Sequence, residues 1–304
     1  MIKELLSNEY VVPLLLGILA GIVTRLYLLR TDYRQYPTYP HGKLIHIALG
    51  IIASGLGAVA VPSFLKEDYT AITFLALAAQ QFRDVRNMER ATLTEIDKHE
   101  LVPRGGSYIE GIAMVFEGRN YLVIFASFCT TFATVLFNWY GGVLVGIVVL
   151  LISRAFKSGK SLKHIADVVP SSIRLDGVHL YVDDIYIMNV GSPEAQGTIR
   201  ERGVGYILIP KNANAKVTIA HPGQRQAILH DASTILGIYS DEGEPSLTPL
   251  VKRDLKTGRM GIFLLPYEHG IEKGRRVLEN TPIIESAIRM PSEAKVNQPK
   301  GSSS

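Results

Sequence analysis

Long apolar runs fill residues 10–153, and they decide what this chain can become. The first, Tyr10–Leu29, reads YVVPLLLGILAGIVTRLYLL. A helix of about 20 residues reaches ~30 Å, the thickness of a bilayer's hydrocarbon core. Lys3 stands against Glu4 and Glu9 before it, and no small-residue cleavage site follows. The run therefore reads as a retained anchor and not as a signal peptide. The second run is Leu44–Leu65, and the third, Thr70–Phe82, is short. The fourth, Tyr121–Phe137, and the fifth, Trp139–Phe156, are together too long for one crossing, and NWYGG at Asn138–Gly142 offers a turn between them.

Charge decides whether the short third run crosses. If it does, one side of the membrane collects fourteen basic residues: Arg25, Arg30, Arg34, Lys43, Arg83, Arg86, Arg90, Lys98, Arg104, Arg119, Arg154, Lys157, Lys160 and Lys163. The other side keeps Lys3 and Lys66. The positive-inside rule then predicts five spans, with the N-terminus outside and the C-terminus in the cytoplasm. The net charge of +4 is topological in its distribution and gives no sign of nucleic-acid binding. One cysteine, Cys129, excludes a disulfide framework or a cysteine metal site within the chain.

Within the spans, Gly17–Gly21 and Gly50–Ser54 have the small-xxx-small spacing of closely packed helices. Ser54 has no histidine on another span to act as its base, so intramembrane serine proteolysis is disfavoured. His46 reads as an interface residue near the end of a span. No carboxylate lies inside a span, which argues against an ion-coupled transporter or channel and against an intramembrane aspartyl protease.

Arg83–His99 reads as a solvated cytoplasmic helix of alternating charge, broken by LVPRGGS at Leu101–Ser107. SYIEGIAMVF follows. Ser107 with Glu110 three residues on is a capping box, in which each side chain reaches the other residue's backbone N–H. The helix Tyr108–Glu117 would present Ile109, Ile112, Ala113 and Phe116 on one face. A helix straight from Tyr108 to Phe137 would measure ~45 Å, too long for the hydrocarbon, so this piece is expected to lie in the interface and end near Gly118.

The segment Ser107-Tyr108-Ile109-Glu110-Gly111-Ile112-Ala113, followed by FEGRNYLVIFASF, resembles the signature of the YIEGIA family, multi-span membrane proteins of endospore-forming Bacillota. The resemblance spans both halves of the chain. It implies a role in sporulation, a membrane location and, as an activity, aspartic-type proteolysis. No Asp-Thr-Gly, Asp-Ser-Gly or Gly-x-Gly-Asp occurs on which to place that activity.

The remainder reads as a cytoplasmic α+β domain. Asp176-Gly177 sits between two strand-like runs as a hairpin turn, and Asp184–Val190 is a further strand. Gly191–Gly203 reads as a loop, Val204–Pro210 and Ala215–Ala220 as strands, and Pro222–Tyr239 as a helix with Asp231 on its exposed face. A hairpin about Lys256-Thr257-Gly258 and a helix over Gly270–Arg289, interrupted at Thr281-Pro282, complete it. The expected architecture is thus an α-helical polytopic membrane domain of about five spans (1–157), a cytoplasmic α+β domain (158–290) and a disordered tail (291–304).

Chemistry is sparse here. There is no HExxH, GxSxG or Walker loop, and no metal or cofactor is implied. His221, His230 and Asp231 lie close in sequence without a nucleophile. Asp183 and Asp184, neighbours that point to opposite faces of a strand, make no acid pair alone, although a homodimer could bring one from each chain together. Asp176 belongs to the turn. Two readings follow. Either the cytoplasmic domain binds or regulates a protein partner at the lipid bilayer, or the chain is a membrane-tethered aspartic-type peptidase using Asp183, Asp184 or Asp176 on a cytoplasmic protein substrate.

Overall fold

The computed structural model describes residues 8–32, 40–155, 160–239, 249–268 and 270–294. Lys3, Arg34, Lys157 and the tail beyond Ala294 lie outside the described residues. Two compact units emerge: Met1–Ala91 with Ile112–Ser158, and Thr92–Gly111 with Gly159–Ser304.

The first unit is helical. It contains α1 (Asn8–Asp32), α2 (Pro40–Leu65), most of α3 (Tyr69–Asp97) and most of α4 (Gly106–Ala155). Among the described residues three stretches are long and apolar enough to cross a membrane: Glu9–Leu29, Gly42–Leu65 and Gly106–Arg154. The last is two helices in one, because Phe137 (φ −124°, ψ 20°) and Asn138 (φ 61°, ψ −177°) break it at the front of NWYGG. Asparagine is among the few residues that accept such a positive φ. No break occurs near Gly118, and this corrects the expectation of a separate interfacial helix. Likewise the apolar third run and the charged stretch after it form one continuous helix to Asp97.

The burial pattern of this unit is inverted relative to a protein surrounded by water. On α1 the exposed side chains are Val12, Leu15, Leu19, Val23 and Leu26, while Gly17, Gly21, Thr24 and Arg25 face inward. On α4, Phe125, Phe132 and Leu136 are exposed, while Asn120, Ser127, Thr130, Thr131 and Thr134 are buried. The small residues permit close approach. A Cβ on Gly21 would lie 2.5 Å from Ser54 Oγ, and one on Gly57 only 2.2 Å from the Ile124 carbonyl oxygen. At that crossing Ser127 Oγ donates to the Ser54 carbonyl at 2.6 Å. The Ser54 hydroxyl itself donates back to Gly50 O at 2.7 Å, so it serves its own helix.

The second unit is α+β. Its elements are α5 (Leu162–Ile165), β1 (Ala166–Ser171), β2 (Ile173–Asp176), β3 (His179–Val182), β4 (Ile185–Asn189), α6 (Pro193–Arg202), β5 (Val204–Pro210), α7 (Ala213–Ala220), α8 (Pro222–Leu236), β6 (Leu250–Arg253), β7 (Met260–Leu264) and α9 (Ile271–Asn280). One antiparallel sheet has the order β1-β5-β7-β6 and a smaller one β2-β3-β4. Strands β5 and β7 are buried on both faces. Tyr206, Leu208, Ile262 and Leu264 join Ile228, Ala232 and Leu278 of the helices in one core. Ile207 and Phe263, one residue out of phase, point to the other face and pack with Leu180, Val182, Ile185 and Ile187 of the small sheet. That alternation explains why both strands read as unbroken apolar runs.

Three expectations for this unit are corrected. Gly191–Gly203 contains a helix, because Ser192 accepts from Ala195 N–H as N-cap and Pro193 follows at the first position. Ala215–Ala220 is helical and not a strand. Asn212 caps it by accepting from Ala215 N–H at 2.8 Å, and this local cap outweighs the β-preference of Val217, Thr218 and Ile219. The stretch after Met290 is ordered as far as it is described: Pro291–Glu293 forms a 3-10 turn, tied down where Asn214 Nδ2 donates to Ser292 Oγ at 2.7 Å.

Candidate functional site

The signature segment is built into the second unit up to Gly111, while Ile112 and Ala113 belong to the first. Its helix starts two residues earlier than a Ser107 cap requires. The Gly105 carbonyl, at φ +73°, accepts from both Tyr108 N–H and Ile109 N–H at 3.1 Å. The expected capping box is therefore corrected, with Ser107 lying inside the first turn. Asp97 holds the entry to the helix instead: its two oxygens accept the N–H groups of Arg104 and Gly105, the two residues just before it, at 2.6 and 2.9 Å. A carboxylate accepting backbone N–H groups makes charge-assisted bonds stronger than those of a hydroxyl, and its negative charge suits a helix start. Arg104 lies 3.8 Å from that carboxylate and donates to Glu100 at 3.1 Å.

Helix α8 receives this segment. A Cβ on Gly223 would stand 2.9 Å from the Ser107 carbonyl oxygen, so only glycine admits the backbone there. His230 Nδ1 lies 2.6 Å from the Val102 carbonyl, and Gln226 Nε2 donates to the Pro103 carbonyl. On the other side, a Cβ on Gly111 would meet Ser286 Oγ at 2.2 Å. Tyr108 and Ile109 are each 1% exposed. Asp231, expected on an exposed face, is instead half-buried and within electrostatic reach of Tyr108. Burial pushes its carboxyl up to about 7, opposed by Arg104. Burial also lowers the proton affinity of His230, while its bond to Val102 opposes this.

The aspartates singled out from sequence lie on turns at opposite ends of the small sheet, Asp176 at one end and Asp183 with Asp184 at the other. Asp183 (φ +58°) and Asp184 form the two-residue turn between β3 and β4, and they are 52% and 64% exposed. Arg259 holds both, with Nη1 3.5 Å from Asp183 and Nη2 2.6 Å from Asp184. A guanidinium between two carboxylates offsets their mutual repulsion. Asp176 ends β2 and pairs with Arg174 at 3.4 Å. The structure thus brings Asp183 and Asp184 to one arginine. Among the described residues no group of three or more His, Cys, Asp or Glu is placed to hold a metal ion.

The outer face of this small sheet is open and aromatic. Arg174 lies over the Tyr181 ring at 4.7 Å, and Tyr181 and His179 each meet Tyr186 edge-on. Tyr186 OH and the His179 ring both bond Asn189 Oδ1.

A second cluster escaped sequence reading. Inside the first unit, Asp32 lies between Arg25 Nη1 at 3.3 Å and Arg119 Nε at 3.4 Å. Arg25 also lies over Phe116, 5.1 Å from its ring centre. Arg25 and His46 are each 1% exposed. The signal available was Arg25 and His46 themselves, single ionisable residues inside apolar runs. Their partners Asp32, Glu89 and Arg119 stand at run ends, where they read as flanking charge.

These features define the class: a mostly helical protein that joins apolar helices of membrane-crossing length to a sheet-containing C-terminal domain. Within that class, the chain belongs to the YIEGIA family, whose model, described as YIEGIA protein, matches residues 13–294. It is 56% identical over 293 residues to the uncharacterized protein YphB of Bacillus subtilis (strain 168), covering 96% of this chain and 99% of that one. No solved structure matches the chain at a significant level.

Proposed function

We propose that the protein is an integral membrane protein of sporulating cells that presents its α+β domain in the cytoplasm to a protein partner. The observation that carries the choice of binding over catalysis is the small sheet. Its open face offers Arg174, Tyr181 and Tyr186, residue types that anchor interfaces, whereas the candidate acids at its turns are clamped by arginines. Support for the membrane setting comes from the apolar exterior and polar interior of the helical unit, the pattern of helices packed in lipid. The fourteen-to-two distribution of basic residues supports five spans with the N-terminus outside.

Complementation of a sporulation defect, in an endospore former lacking its own copy, tests this reading. Arg174→Ala combined with Tyr186→Ala is expected to weaken partner binding ~10-fold or more and lower spore yield at unchanged protein level. Asp176→Asn, Asp183→Asn and Asp184→Asn are each expected to complement fully. Loss of sporulation in an Asn variant, with the Arg174/Tyr186 variant active, would favour the peptidase instead.

A further inference from the structure

Strand β2 (Ile173–Asp176) is an outer strand of the small sheet, whose order is β2-β3-β4. Its hydrogen-bond phase follows from the hairpin. The two-residue turn Gly177-Val178 makes Asp176 and His179 a hydrogen-bonded pair, and bonding then alternates along the ladder. Arg174 with Tyr181 is the next bonded pair. Beyond it, Asp183 N–H donates to the Ser172 carbonyl at 3.0 Å, in the same phase. Leu175 lies between two bonded pairs, so its N–H and C=O point away from β3. Among the described residues neither group has a hydrogen-bond partner on that side.

Proteins protect such edges with proline and with charged side chains, lysine above all. Strand β1, at the edge of the larger sheet, carries Pro170. Strand β2 has neither proline nor lysine. It reads Ile-Arg-Leu-Asp, with one charge of each sign on either side of Leu175. Antiparallel pairing of two copies about Leu175 sets Arg174 of each against Asp176 of the other. Both ion pairs then fall at non-hydrogen-bonded positions, where facing side chains come closest. Pairing about Arg174 would instead oppose the two arginines. Within one chain Arg174 and Asp176 meet at 3.4 Å, with side chains 57% and 71% exposed. A surface pair of that kind contributes little, so exchanging partners costs little. Leu175, half-buried on the inner side, would be covered by its own copy.

We propose that β2 is the pairing edge of a homodimer, its occupant being β2 of a second copy of this chain. The three strands of each copy then form one six-stranded antiparallel sheet. Its outer face carries rows that run from Tyr186, Tyr181 and Arg174 to Asp176 and His179 of the second copy. Asp176 gains an arginine there and not a second carboxylate. The aromatic face stays open, and the dimer stands whether or not that face binds a further partner.

The test uses the purified full chain in detergent, carrying Cys129→Ser. With Leu175→Cys, the two thiols of a dimer face each other at a Cα separation of about 5.5 Å, within disulfide reach. Oxidation with copper phenanthroline is expected to link the chains as dimers. Asp184→Cys, at the other end of the sheet, is expected to stay unlinked. Adding Arg174→Asp or Asp176→Arg to Leu175→Cys is expected to lower the linked fraction ~10-fold, because each reversal sets like charges opposite. Mixing the two reversed variants restores opposite charges across the axis and is expected to recover the linked dimer. Linking no greater than in Asp184→Cys overturns the proposal. So does linking that neither reversal lowers or that mixing does not recover. Should Leu175→Cys fail to fold, sedimentation reads the same exchange: dimer for the wild type and for the mixture, monomer for each reversal alone. A wild type that sediments as a monomer overturns the proposal. These readouts follow association of the chain with itself and not spore yield, so failure here is distinct from failure of the partner-binding reading.

Discussion

Asp32→Leu is expected to destabilise the helical unit by ~3–5 kcal/mol. The carboxylate is the shared anion of Arg25 and Arg119, at 3.3 and 3.4 Å. All three side chains are less than a tenth exposed. Removing the anion takes from two buried guanidinium groups the carboxylate that they share. The measurement is a denaturation midpoint of the purified full chain in detergent. Asp84→Asn serves as control, since Asp84 is exposed on α3. An Asp32→Leu midpoint equal to that of the control would contradict the account of this cluster.

Asp231→Asn is expected to change how stability of the second unit depends on pH. Burial raises the folded-state carboxyl from 3.8 to about 7. A raised carboxyl contributes its full stability below about pH 4 and loses it as pH rises through 7. At pH 8 the wild type should therefore carry ~2–4 kcal/mol of strain from this one charge, which the neutral Asn removes. His230 acts with the opposite sign. Burial lowers its proton affinity, so its contribution is present at high pH and lost as pH falls. The difference between wild type and Asp231→Asn isolates the aspartate, and parallel pH profiles would refute the assignment.

How much of this was legible in the sequence depends on the range of the interactions involved. The hairpin at Asp176-Gly177 was readable because the turn chemistry is local: Gly177 takes φ +60°, and Asp176 pairs with His179 across a two-residue loop. The helix packing at Gly21 and Ser54 was also readable, since small-residue spacing carries it. Helix α7 was misread because Val217, Thr218 and Ile219 are β-formers, while the deciding signal was Asn212, a cap outside the run. Strand β1 went unseen because Pro170 sits within it, and its ladder partner, β5, lies some forty residues on.

The signature shows the limit most plainly. Ser107 and Glu110 have the spacing of a capping box, yet Asp97, ten residues upstream of Ser107, holds the chain that enters the helix, and Gly223, over a hundred residues downstream, admits its backbone. Neither can be inferred from the segment itself. The same holds for Asp32 and Arg119, which are 87 residues apart and meet only once the helices pack.

The central claim, a membrane-embedded helical unit with the α+β domain in the cytoplasm, is tested most directly by cysteine labelling in intact cells. Cys129→Ser removes the native thiol, and Glu67→Cys and Asp184→Cys are introduced singly at exposed turn positions of the two units. A membrane-impermeant maleimide should label Glu67→Cys in intact cells and Asp184→Cys only after permeabilisation. Labelling of Asp184→Cys in intact cells, or protection of Glu67→Cys until permeabilisation, would contradict the account.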